Sequence, residues 1–112
     1  MTESRFNTII RSLNPNLVGI GYEKLAVTDA VAVALTVPTG TKYCEIMVES
    51  ATTTGFVVNY LNSNGPAVPT QTEGIPVTHG TLFDIQNSDG VSNFRARCRA
   101  GLSATLHIQY YK

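Results

Sequence analysis

The side chains able to do chemistry are few and far apart. They comprise two histidines, two cysteines and eight carboxylates. His79 stands beside Gly80 in a turn and His107 on the polar face of a strand-like run, and neither has a cysteine or second histidine at metal-ligand spacing. Catalysis needs a nucleophile, a base or a metal set within reach of one another. No Gly-x-Ser-x-Gly elbow, phosphate-binding loop or dinucleotide fingerprint occurs. The carboxylates Glu3, Glu23, Asp29, Glu45, Glu49, Glu73, Asp84 and Asp89 are scattered, so a glycosidase-style pair arises only if folding brings two of them together. Asp84 alternates with its strand neighbours and reads as solvent-facing. Cys44 and Cys98 lie in strand-like runs, where buried free thiols are expected and a disulfide between neighbouring strands is the alternative. These residues predict no enzyme, no cofactor and no metal.

One charged cluster stands out. Arg95, Arg97 and Arg99 project from one face of a strand while Phe94, Ala96 and Cys98 project from the other. Three like charges at period two repel unless something opposes them. Glu45 and Glu49, on the polar face of another strand, are the favoured intramolecular answer. The carboxylates of a neighbouring subunit are the alternative, because Arg forms bidentate pairs and is enriched at interfaces.

The elements that must position these residues read as strands. Val31, Val33, Leu35 and Val37 alternate with smaller residues over 30–37, the strongest period-two signal in the chain, and Pro38-Thr39-Gly40-Thr41 stops it. Further strands are expected around 22–27, 43–48, 56–61, 81–85, 94–99 and 104–111. In the last, Ala104, Leu106, Ile108 and Tyr110 share one face and Thr105, His107, Gln109 and Tyr111 the other. Gly and Asn mark breaks, Ser88-Asp89-Gly90 among them, and no helical period is sustained. About seven short strands with regular turns predict an all-β fold: an antiparallel β-sandwich, jelly-roll or Ig-like.

Two segments depart from this rhythm. Residues 1–21 carry Phe6, Ile9, Ile10, Leu13 and Leu17 among polar residues, with Pro15 interrupting any helix, and read as an extended N-terminal arm lying on its own domain or on a neighbour. The sandwich domain is then 22–112. Residues 62–77 form a long connection whose prolines, Pro66 and Pro69 among them, suit a fixed docking surface. The expected partner-contact residues are thus Phe6, Ile9, Ile10, Leu13, Leu17, Pro66, Pro69 and the three arginines.

Composition supports an assembly piece. At 112 residues the chain is one domain, and only 14% of it is charged, against about 25% in ordinary soluble domains. The net charge is zero, so no global field draws in nucleic acid or an acidic membrane. No basic start precedes an apolar run and no run is long enough to span a bilayer, so the expectation is synthesis in the cytosol without a membrane. A neutral surface rich in Thr and Asn desolvates cheaply, which suits a homo-oligomer or a larger particle.

Over Tyr22 to Lys112 the sequence resembles small phage virion proteins of β-sandwich type. The resemblance rests on Tyr22-Glu23-Lys24-Leu25, then Leu35-Thr36-Val37-Pro38-Thr39-Gly40-Thr41-Lys42-Tyr43, Pro69-Thr70, Gly74-Ile75-Pro76-Val77, Asn93-Phe94-Arg95 and the ending Leu106-His107-Ile108-Gln109-Tyr110-Tyr111. It differs at Val58-Asn59-Tyr60, where the family tends to carry Arg, and at 62–68, longer than the usual loop. The resemblance implies a virion structural protein, foremost a capsid decoration or cement protein bound to the major capsid protein or other virion proteins. A tail, collar or fibre-associated piece is the alternative. A carbohydrate-binding module is a third reading, with Tyr22, Tyr43, Tyr60, Tyr110 and Tyr111 available for stacking but no Trp.

Overall fold

A computed structural model describes residues 17–50, 56–59 and 68–112. Phe6, Ile9, Ile10, Leu13 and Pro66 lie outside these residues. The chain runs β1 (Gly19–Thr28), β2 (Val33–Ala34), β3 (Tyr43–Ser50), β4 (Phe56–Asn59), β5 (Ile75–Val77), β6 (Leu82–Ile85), α1 (Ser88–Asn93), β7 (Arg95–Cys98) and β8 (Ser103–Tyr111). The strands form two four-stranded sheets, ordered β1-β8-β3-β6 and β2-β7-β4-β5, and every ladder is antiparallel. All seven expected strand regions contribute, and the short β5 joins them.

The pairing has one underlying plan. β1 pairs with β8, β2 with β7, β3 with β6 and β4 with β5, so the first half of the chain runs out and the second half returns along it as one antiparallel ribbon. The β3·β8 and β4·β7 ladders then roll the ribbon on itself and split it into two sheets.

Alternation supplies the core. Cys44, Ile46 and Val48 of β3 and Ala104, Leu106, Ile108 and Tyr110 of β8 are buried, and they join Val27, Ile85, Val91, Phe94, Ala96 and Cys98 in a single cluster drawn from both sheets. Each large buried side chain contributes roughly 1.5–3 kcal/mol relative to exposure. Gly40 closes the turn after Pro38 at a φ of +88°, which favours glycine, and the buried Thr41 donates its backbone N–H and its hydroxyl to the Pro38 carbonyl at 3.2 and 2.7 Å.

Several expectations need correction. Within 30–37 only Val33 and Ala34 enter a ladder, while Val31 is 59% exposed. Leu35 and Val37 still pack on the core, but the intervening Thr36 N–H goes to the Glu23 carboxylate at 2.9 Å instead of a strand. The break at 88–90 is a helical turn: Asn87 caps it, its side chain accepting from Gly90 N at 2.6 Å, and this drives Val91 into the core. Tyr111 is buried although it alternates out of phase with the core face. It lies between Gly19 of β1 and Tyr43 of β3 in the ladder register, and a Cβ at Gly19 would crowd the Gln109 amide at 3.2 Å, with the Tyr111 ring at an ordinary 3.9 Å. β1 begins at Gly19, so residues 19–21 are strand, and Val18 and Lys112 exchange backbone bonds of 3.0 and 2.9 Å that tie the start of this strand to the C-terminus.

Candidate functional site

The arginines fall where alternation placed them. On β7, Ala96 and Cys98 are buried and Arg95 and Arg97 half-buried, with Arg99 exposed just beyond the strand. Arg97 donates from Nε to the Asp29 carbonyl at 3.0 Å and from Nη2 to the Ala30 carbonyl at 3.1 Å, pinning the β1–β2 connection. Arg95 donates from Nη1 to the carbonyls of Phe94 and Ser92 at 2.7 and 3.2 Å. The expected answer from Glu45 and Glu49 is corrected by topology: both stand on β3 in the other sheet, and Glu49 is engaged by His107. Polar faces of two sheets sharing a core point in opposite directions.

The outer face of the first sheet is acidic. Register places Tyr22, Gln109, Glu45 and Asp84 in one row, Lys24, His107, Met47 and Leu82 in the next, then Ala26, Thr105 and Glu49. His107 is not isolated, contrary to its reading from sequence. The Tyr22 hydroxyl lies 2.6 Å from Nδ1, the two rings stack with centroids 6.1 Å apart, and Nε2 lies 2.9 Å from Glu49 Oε1. With Tyr22 donating to Nδ1, a neutral His107 carries its proton on Nε2 and donates to Glu49. That bond, reinforced by the charge of Lys24, holds the Glu49 carboxyl below the usual carboxylate range. Asp84, read as solvent-facing, is half-buried and accepts a bond from the Gln86 amide.

At the end of this sheet lies an open cleft of about 480 Å³ whose polar lining is Thr28, Glu49, Ser50, His79, Ser103 and Thr105. His79 is held by the Ser50 backbone N–H, which donates to Nδ1 at 3.1 Å, leaving Nε2 to carry the proton of the neutral ring. The Ser50 hydroxyl is turned away, donating to the Ser103 carbonyl at 3.2 Å. The cleft therefore offers a carboxylate acceptor, an imidazole donor and hydroxyls, a set suited to hydrogen-bonding a polyhydroxyl ligand. Sequence reasoning missed it because its residues come from four segments and their register cannot be read from composition. Among the described residues no three His, Cys, Asp or Glu side chains come together to hold a metal.

The remaining titratable groups point inward. Cys44 and Cys98 are buried and free. Desolvation pushes the Cys44 thiol up to about 12 and the Cys98 thiol to about 11, and Cys98 Sγ donates to the Val27 carbonyl at 3.4 Å. The Tyr110 hydroxyl donates to Glu23, and burial first, then that carboxylate, raise its pKa well above the usual phenol range. Of the expected partner-contact residues outside the arginines, Leu17 is half-buried and Pro69 is buried, so the Pro69 ring belongs to the chain's own packing instead of presenting a docking surface. Comparison with protein-family models, with curated proteins and with solved structures finds no match to this chain.

Proposed function

We propose that the two sheets form a jelly-roll sandwich and that the chain is a non-enzymatic structural protein of a phage virion, a decoration protein seated on the capsid shell. The observation that supports this reading is the pairing plan: a ribbon in which β1 to β4 meet β8 to β5 in reverse order, rolled into two four-stranded sheets, matches the double Greek-key wrap expected of jelly rolls. That architecture recurs in viral capsid proteins, and the inference from it to function is by analogy of fold. The resemblance of Tyr22 to Lys112 to small virion proteins points the same way, as does the low charge. Counting copies of the chain per purified particle by quantitative mass spectrometry tests the reading. Hundreds of copies support a shell protein, a handful moves it to the tail or collar, and absence from particles removes it. Deleting residues 1–18 is expected to lower retention on heads, and unchanged retention would remove the role given to the arm.

The cleft favours a second reading, a carbohydrate-binding module on the same scaffold. Glu49, His79 and the hydroxyls line it, and Tyr22, 60% exposed, stands on the same sheet face. Binding on a glycan array that is lost in Tyr22→Ala and Glu49→Gln would support it, and an empty array would remove it.

A further inference from the structure

We infer that the cleft at the end of the first sheet takes an amino sugar whose amine is free, its ammonium pairing with Glu49 and its ring hydroxyls meeting the hydroxyls and the imidazole of the cleft wall. The inference rests on the carbohydrate reading given above as the second one, and adds to it the chemical class of the ligand.

The first support is charge. Among the described residues lining the cleft, Glu49 is the one carboxylate, and there is no Lys or Arg. His79 adds no charge while its Nδ1 accepts the Ser50 N–H, because an imidazolium has no acceptor. His107 holds Oε1 of Glu49 and leaves Oε2 for a ligand. The same bond keeps the carboxyl below its ordinary range, so Glu49 is ionised at neutral pH. A sugar acid is repelled by such a wall, and a neutral sugar gains hydrogen bonds from it. A sugar ammonium gains a charge-assisted bond as well.

The second support is the placement of the hydroxyls. Thr105 stands directly opposite Glu49 across the β3·β8 ladder, and Thr28 opposite Ser103 across the β1·β8 ladder. Opposed Cβ atoms in a ladder are about 4.5–5.5 Å apart, so neighbouring substituents of one sugar ring can reach the carboxylate and the Thr105 hydroxyl together. The neutral His79 ring supplies a donor from Nε2, which a sugar hydroxyl can accept. The apolar share of the wall is small, coming from Ala26, Val27 and Ala104, the last two buried. A lysine-like methylene stem therefore finds little to rest on, whereas a polyhydroxyl body finds partners. The volume of about 480 Å³ lies within the ~300–1,000 Å³ of small-molecule sites.

Lys24 opposes this binding. It stands in the next row, opposite His107, and its charge reaches Glu49. The ammonium of a ligand must share the carboxylate's field with it, and removing that charge should favour the ligand.

The test titrates the full chain with three matched disaccharides, read by chemical-shift changes at about pH 7 and low salt. They are the glucosamine disaccharide with free amines, its N-acetylated form and the corresponding glucose disaccharide. An exposed ion pair contributes little, so the free-amine form is expected to bind about two- to fivefold more tightly than the other two. Raising the pH to about 9 discharges a sugar amine, which titrates close to the α-amino range of about 7.7–8.0, and should remove the preference. Glu49→Gln keeps an acceptor for His107 and should bind all three sugars alike, while Lys24→Gln should widen the preference. Thr105→Val should weaken all three about threefold, and Thr105→Ser should restore them. Equal binding of the three sugars by the native chain overturns the inference and leaves the carbohydrate reading standing. A free-amine preference that survives Glu49→Gln also overturns it, as does n-butylamine binding as tightly as the free-amine disaccharide, since charge alone would then be read. Binding of none of the three overturns it too, the glycan array deciding the wider reading.

Discussion

Gly90 is a position where two physical effects of similar size oppose each other and the structure decides the sign. It lies inside α1, where alanine is favoured over glycine by about 1 kcal/mol on helix propensity alone. A Cβ at Gly90, however, would stand 2.7 Å from Ile85 Cγ2 and 3.1 Å from Asn87 Oδ1. Ile85 is buried at 3% exposure and β-branched, so its methyl has little freedom to withdraw. Overpacking of this kind costs about 1–3 kcal/mol, and disturbing the Asn87 cap costs about another 1 kcal/mol. The net expectation for Gly90→Ala is destabilisation by about 1–3 kcal/mol, read as a lower urea midpoint at unchanged slope. Ile85→Leu removes the offending branch. Introduced into that background, Gly90→Ala should cost about 1 kcal/mol less than it does alone, a coupling that a double-mutant cycle isolates. If Gly90→Ala is as stable as the native chain or more so, helix propensity has won and the packing argument around α1 is wrong.

Other outcomes follow from the perturbed groups. The Cys44 thiol is raised from about 9 to about 12, so its thiolate is scarce at neutral pH. Thiol reagents should label Cys44 only as fast as the chain opens, and rapid labelling of folded protein would contradict its burial. Because this pKa is raised on folding, the associated stability, at most about 4 kcal/mol, is complete below the unfolded value near 9 and is lost as pH climbs from there toward 12. Glu49 has the opposite sign: its carboxyl is depressed below its ordinary value of 4.5, so its contribution is present above that value and disappears as pH falls below it. Glu49→Gln should flatten the acid limb of a stability profile, and an unchanged limb would show that the His107 bond does not persist in solution. Tyr110→Phe removes the bond to Glu23 and should cost about 1–3 kcal/mol in urea unfolding, the Glu23 carboxylate keeping the Thr36 N–H.

What could be read in the sequence follows a physical rule. Alternation reports which residues share a buried face, and it was sound in β3 and along β8 as far as Tyr110, both flanked on each side, and in β7, where one face is strongly charged. Over 30–37 it reported burial without reporting a ladder, because β2 is an edge strand and a side chain, Glu23, takes the Thr36 N–H that a neighbour would have taken. The helical turn at 88–93 is too short to show a period, and its glycine is explained by Ile85, which no local reading of 88–93 can supply. Burial of Tyr111 depends on its place between β1 and β3, and the link from Tyr22 through His107 to Glu49 depends on register between β1, β8 and β3. Both are facts of long-range pairing, which composition and spacing leave open.

The placement of the perturbed groups bears on whether such a molecule acts by chemistry or by contact. In a catalytic site, shifted groups face a cleft and are tuned toward the working pH. Here Cys44, Cys98 and Tyr110 are shifted by burial and aimed into the core, away from any ligand. Glu49, which does line a cleft, is shifted downward by His107, making it a poorer base than an ordinary carboxylate. The cleft is therefore equipped to hold hydrogen bonds more than to move protons. Arg95 and Arg97, by contrast, spend guanidinium donors on backbone carbonyls, holding the end of α1 and the β1–β2 connection in place, which is structural work within one copy. The proposed role is therefore sought in the assembly, and copy number per particle is the measurement that decides it.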